Sequence, residues 1–314
     1  MIAHKFISLS LSFIILISLC CGCSNQDVQD KIDEGSTELI ETKSWVDSIG
    51  NTYYAQFYTN GTTAKKALEE SNDVTLNHIF IDDIPVYEMF SSKRNTGKML
   101  FLFHGQNSRK EEYLFDMIRY AEAGYYCVAV DLVGHGERLS SEAKMSVQIT
   151  VETAKDIDVL LEYYKTIPQA NSDVFALLGL SQGGSVSYWY AAYGKNNPTA
   201  LVVGSSTPDY NYQNDTEAIQ NGETIDAIWS DSELQSYVSK NNPINNLDKF
   251  IGIPTLSGNG LKDTVISYKG SEELEKAKFE AGYTNSQFFY FENVGHEVTE
   301  DFMMRVIGFL NNHL

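Results

Sequence analysis

From Lys98 onward the chain alternates short, unbroken apolar runs with longer amphipathic stretches. The runs Lys98–Phe103, Tyr125–Val130, Val174–Leu178 and Leu201–Val203 show no polar residue at every second place, so they read as strands buried on both faces. Between them, Glu111–Ala123, closed by Gly124, and Val151–Lys165 repeat apolar residues at helical spacing. Further strands fall at Thr255 and over Gln287–Phe291, and a last amphipathic helix begins near Thr299. Ahead of them, Asp73–Phe80 and Ile84–Phe90 flank Ile81-Asp82-Asp83 and predict an antiparallel hairpin. The alternation predicts an α/β fold with a mainly parallel sheet of about eight strands and helices on both faces.

Between Gly204 and Ile253 the alternation stops. Tyr210, Tyr212, Ile225, Ile228, Trp229, Leu234 and Tyr237 are scattered among polar residues there. Residues 205–250 are therefore expected to form a small, partly helical cap insertion, the alternative being a surface excursion with its own minor core. The N-terminal end is of another kind. After the weakly basic Met1-Ile2-Ala3-His4-Lys5 comes an apolar stretch of about 15 residues, short for a spanning helix and suited to a secretory leader. It ends in Leu19-Cys20-Cys21-Gly22-Cys23-Ser24-Asn25, which resembles a bacterial lipoprotein cleavage site. Residues 1–22 are thus expected to be a signal peptide and Cys23 the lipidated residue, with Cys21 as the alternative. Residues 23–52 are polar and acid-rich and read as a tether, and residues 53–314 as the folded domain.

Charge narrows the partners. The 314-residue chain has a formal net charge of −19, which repels nucleic acid and anionic headgroups. Beyond the cluster at 20–23 only Cys127 remains, in an apolar strand, where it packs as a small apolar group. No metal-binding spacing of histidine or cysteine occurs, and Gly134-His135-Gly136 lacks the third glycine of a dinucleotide loop, so no metal and no cofactor are expected.

The chemistry centres on Gly179-Leu180-Ser181-Gln182-Gly183, placed between an apolar strand and the helix-like Gly184–Ala192. A serine at a sharp strand-to-helix turn is lifted out of the backbone, provided its neighbours two residues away lack bulk. The first amides of the following helix then face any oxyanion beside it. A serine hydroxyl needs a histidine base and an orienting carboxylate. Of the six histidines, His296, in the loop Asn293-Val294-Gly295-His296-Glu297 after a strand, is the best placed. Asp263, in the loop Asn259-Gly260-Leu261-Lys262-Asp263, is the preferred acid and Asp209 the competitor.

The order Ser, Asp, His, the strand-turn-helix around Ser181, Leu102-Phe103-His104-Gly105-Gln106 and the turn Asp131-Leu132-Val133-Gly134-His135-Gly136-Glu137 together resemble the α/β-hydrolase family from about Val74 to Leu314. Within it the chain looks most like small bacterial carboxylesterases of the dienelactone-hydrolase and prolyl-oligopeptidase-like branch. The resemblance implies Ser181 as nucleophile, His296 as base and then acid, Asp263 as orienting carboxylate, and the backbone amides of Gln182 and Gln106 as the oxyanion hole. It gives His104 a bracing role in its own loop. The expected activity is hydrolysis of small, short-acyl esters outside the cytoplasm, by an enzyme held to a membrane through its lipid. A peptidase or amidase on the same triad and a lipid-anchored binding protein without turnover are the alternatives.

Overall fold

The computed structural model describes residues 38–46, 52–59, 73–139, 146–213 and 232–314, with side chains for 73–139, 146–212 and 235–314. The expected signal peptide, Cys23, the tether up to residue 37 and the stretch 214–231 of the expected cap lie outside the described residues. Part of the segment read as a tether is a strand: β1 (Glu38–Val46) pairs antiparallel with β2 (Thr52–Thr59). Tyr53, Tyr54 and Phe57 in the second run are types enriched in strands.

The main sheet has eight strands. They are β3 (Val74–Ile81), β4 (Ile84–Ser91), β5 (Lys98–Phe103), β6 (Tyr126–Val130), β7 (Asn171–Leu180), β8 (Ala200–Gly204), β9 (Thr255–Gly260) and β10 (Gln287–Phe291). Their spatial order is β10-β9-β8-β7-β5-β6-β4-β3. The predicted hairpin is β3–β4, which meets β6 antiparallel, and every other pairing is parallel. The turn between β3 and β4 places Asp82 and Asp83 at positive φ, a conformation that aspartate tolerates better than most residues.

The central strands feed two cores because successive side chains point to opposite faces. Met99, Phe101 and Phe103 of β5 face one side, together with α2 (Ser146–Tyr164) and α3 (Gln182–Tyr193). Leu100 and Leu102 face the other, together with α1 (Leu114–Glu122) and α7 (Glu300–His313). In α1 the buried Leu114, Met117, Ile118 and Ala121 keep helical-stripe spacing, and Tyr120 beside them is buried as well. Helix α7 starts where the sequence predicts, with the Thr299 hydroxyl accepting from the Phe302 amide. Helix α2 begins five residues before the predicted Val151, since Val147, Ile149 and Thr150 are buried as well.

After β8 the described part of the 205–250 segment is partly helical: α4 (Ser232–Lys240) and α5 (Leu247–Phe250), with single 3-10 turns at Tyr210–Gln213 and Pro243–Asn246. Helix α6 (Lys269–Glu280) follows β9. Among the described residues no helix is long and apolar enough to cross a membrane. Cys127 is buried and unpaired, and burial pushes its thiol well above the ordinary range.

Candidate active site

Strand β7 ends at Leu180, and Ser181 follows with φ 52° and ψ −117° before α3 begins at Gln182. This is left-handed backbone on a residue with a side chain, tolerated only because the surroundings enforce it. Two glycines make the turn passable. A Cβ on Gly179 would run into the carbonyl of Gly183, and one on Gly183 into the carbonyl of Phe103. The amide of Ser181 is anchored to the Gly204 carbonyl at 2.8 Å.

The Ser181 hydroxyl lies 2.8 Å from His296 Nε2, and His296 Nδ1 lies 2.8 Å from Asp263 Oδ2. Donation from Nδ1 to the carboxylate leaves the Nε2 lone pair facing the serine hydroxyl. The other oxygen of Asp263 accepts from the amides of Val265 and Ile266 at 2.8 and 2.9 Å. Its carboxylate is fully buried while the imidazole keeps partial solvent access. The three predicted residues thus come together from the C-terminal ends of β7, β9 and β10, the edge where open α/β sheets hold ligands. Asn259 and Gly260, read from sequence as loop, are the last residues of β9, which carries the strand up to the Asp263 turn.

Asp209 is elsewhere. It is buried, and its Oδ1 accepts from the Asn242 side chain at 2.7 Å and the Asn211 amide at 3.0 Å, tying together two parts of the segment after β8. The loop that carries His296 is fixed by contacts the sequence did not reveal. Ser205, buried and with φ 48°, donates from its hydroxyl to the Glu297 carbonyl at 2.8 Å. Lys262 donates its amide to the Val294 carbonyl at 2.9 Å, and a Cβ on Gly260 would collide with the carbonyls of Val294 and Gly295.

The amides of Gln182 and Gln106 have no acceptor within the chain among the described residues. Gln182 is the first residue of α3, so its N–H belongs to the unpaired set at a helix start. Gln106 belongs to the exposed loop after β5, and the neighbouring Gly105 passes close to Ser181, with space for a Cβ only 3.4 Å from that of Ser181. The Gln182 side chain donates to the Ser146 carbonyl at 3.1 Å, linking the elbow to the start of α2.

His104, His135 and His78 take structural places. His104 pairs its Nδ1 with the Gly105 carbonyl at 2.7 Å, and its Nε2 accepts from the Leu132 amide at 3.1 Å. His135 donates to the Val133 carbonyl, and burial lowers its pKa. His78, given no role by the sequence, lies 2.7 Å from Glu137 Oε2. Among the described residues no group of histidine, cysteine, aspartate or glutamate could hold a metal ion.

Residues 94–221 match a family model described as serine aminopeptidase, S33. No curated protein sequence matches the chain. Among solved structures it is similar to TT1662 from Thermus thermophilus at 19% identity and TM-score 0.61, over 76% of this chain and 97% of that one. It is also similar to acetyl xylan esterase 1 from Thermoanaerobacterium sp. JW/SL YS485 at 17% identity and TM-score 0.57, over 79% and 91% of the two chains. The acylaminoacyl peptidase of Pyrococcus horikoshii aligns at 14% identity and TM-score 0.63, over 89% of this chain and 49% of the peptidase.

Proposed function

We propose that this chain, which carries the α/β-hydrolase fold and matches a serine aminopeptidase model over residues 94–221, is a serine hydrolase that cleaves small, short-acyl carboxylic esters through Ser181, His296 and Asp263. The observation that carries this reading is the unbroken hydrogen-bonded line from Ser181 Oγ through the imidazole to the Asp263 carboxylate. As the hydroxyl attacks an ester carbonyl, Nε2 takes its proton and Asp263 stabilises the imidazolium. Negative charge then develops on the carbonyl oxygen, where the free amides of Gln182 and Gln106 are the available donors. Collapse of that intermediate expels the alcohol, which takes the proton from Nε2 and leaves an acyl group on Ser181. Water activated by the same nitrogen releases the acid and restores the hydroxyl.

The segment over residues 205–250 is too short to enclose a long acyl chain, which favours short acyl groups. Acetylated carbohydrate is one natural substrate that fits, and the likeness to an acetyl xylan esterase supports including it in a screen. Amide substrates form the second reading, favoured by the serine aminopeptidase model over residues 94–221. We place the enzyme outside the cytoplasm, held by lipid on Cys23.

The test is a panel of nitrophenyl esters of increasing acyl length, acetylated sugars and peptide anilides, run on wild type and Ser181→Ala. Short esters should be turned over fastest. The alanine variant should lose on the order of 10³-fold or more while keeping its circular dichroism spectrum. A folded Ser181→Ala protein with near-wild-type turnover would remove Ser181 from the chemistry, and faster anilide cleavage would select the second reading.

A further inference from the structure

The loop that presents Gln106 has little to hold it from within. The one backbone hydrogen bond with both partners between His104 and Lys110 is from the Ser108 amide to the Gly105 carbonyl, at a long 3.3 Å; the Arg109 carbonyl accepts from the Glu112 amide at 3.2 Å, and Asn107 is held at φ 61°. Its two ends, in contrast, are fastened to the two residues that follow β6. At the start, the His104 ring accepts from the Leu132 amide at 3.1 Å. At the finish, the Lys110 amide donates to Asp131 Oδ1 at 2.9 Å, while the Lys110 ammonium lies 2.6 Å from Asp131 Oδ2. The second oxygen also accepts from the Glu137 amide at 3.0 Å, and the Glu137 carboxylate returns to the same ammonium at 2.6 Å. Lys110, Asp131 and Glu137 are almost completely buried at their side chains.

This arrangement gives a purpose to the turn Gly134-His135-Gly136-Glu137, which the triad leaves unused. Gly136 has φ 52°, and a Cβ there would overlap the Asp131 carboxyl group. The glycine lets the turn close over the carboxylate, so that Glu137 reaches Lys110 from the other side. Burial opposes charge on all three groups, yet their contacts prevail. Asp131, helped by His104 and Lys110, and Glu137, helped by His78 and Lys110, stay below the ordinary carboxylate range. Lys110, beside Asp131 and Glu111, stays above the ordinary lysine value.

Resting on the hydrolase reading above, we propose that Asp131 is a positioning residue for the oxyanion hole. Through the amide and ammonium of Lys110 it fixes the loop His104–Lys110, and with it the Gln106 N–H beside Ser181. A donor of this kind acts on the tetrahedral state and not on the ground-state ester, so its misplacement lowers kcat and leaves KM in place. A displacement of about 1 Å is sufficient to cost on the order of 100-fold.

The experiment compares wild type with Asp131→Asn on nitrophenyl acetate. Rates are normalised to the number of Ser181 sites that a fluorophosphonate titrates to completion. Expected is a fall in kcat on the order of 100-fold, KM within about twofold, and a matching loss of affinity for a trifluoromethyl ketone, which binds as a tetrahedral adduct. The acid limb of the pH–rate profile should stay in place, because the base is untouched. Removing one partner of a buried pair can prevent folding. His104→Asn, an uncharged change at the other end of the loop, is therefore measured alongside and should show the same split between kcat and KM. Unchanged kcat per titrated site in folded Asp131→Asn, or in His104→Asn if the first does not fold, overturns the inference alone, as does a shift of the acid limb. A wild-type protein that neither turns over ester nor labels at Ser181 overturns the hydrolase reading, and the inference with it.

Discussion

At the scale of single residues, two aspartates have comparable sequence settings and different surroundings. Asp263 and Asp209 each follow an apolar strand by a few residues. The carboxylate of Asp263 has one oxygen on His296 and the other on two amides, so it both sets the imidazole tautomer and accommodates the imidazolium. Asp209 instead joins Asn242 and Asn211. Asp263→Asn should therefore lower ester turnover by orders of magnitude with little change in KM. Asp209→Asn should leave kcat within about tenfold and act mainly on thermal stability, since it weakens a buried hydrogen-bond set. Steady-state kinetics and melting curves on both variants decide it, and the reverse order would move the orienting acid to Asp209. That Ser181, Asp263 and His296 come together was legible in sequence because each follows a strand and the chain order Ser, Asp, His is distinctive. Ser205 was not, because a serine after a short apolar strand gives no sign that its hydroxyl reaches a carbonyl 92 positions along the chain.

At the scale of elements, legibility followed how completely a segment is buried. Strand β5 falls where its apolar run places it, since a strand covered on both faces leaves few readings other than a continuous apolar run. Two boundaries moved for the opposite reason. Ser257, Asn259 and the glycines of β9 are polar or small yet buried, because Asn259 bonds to Ser257 and the Ser206 carbonyl, and Gly258 makes room for Phe302 of α7. The polar start of α2 hides a helical turn in the same way. What joins the β5 loop, the β6 turn and β3 is a set of buried charges, and it carries a pH consequence. Burial raises Glu137, but His78 and Lys110 together hold it below its ordinary value of 4.5, and Asp131 lies below its ordinary 3.8. A carboxylate depressed in the folded state stabilises fully above its unfolded pKa and loses that contribution as pH falls through the folded one. Stability to urea should therefore hold as pH is lowered to about 5 and then decline steadily. Glu137→Gln, less stable at neutral pH, should show a shallower decline. Parallel declines in the two proteins would mean that Glu137 does not take part.

At the scale of the whole molecule, charge and attachment have to be considered together. Removing residues 1–22 takes away Lys5 and no acid, so 22 basic and 42 acidic side chains remain and the net charge becomes −20. Such a chain is repelled by anionic headgroups, and among the described residues no helix is long and apolar enough to cross a bilayer; in the proposal above, attachment comes from covalent lipid. A diacylglycerol on Cys23 supplies two chains at about 0.8 kcal/mol per buried methylene, enough for stable attachment where a single chain is marginal. The full-length product should accordingly partition into detergent. Cys23→Ala should abolish lipid attachment and leave an unprocessed precursor or a differently cut product, whereas Cys21→Ala should be processed normally. Mass spectrometry of the mature N-terminus reads the result directly. A lipidated residue 21 would move the attachment site by two positions, and an unmodified N-terminus at residue 24 or beyond on a fully soluble product would eliminate the anchor. Neither outcome would touch the proposed triad, whose hydrogen bonds join Ser181, His296 and Asp263 directly to one another.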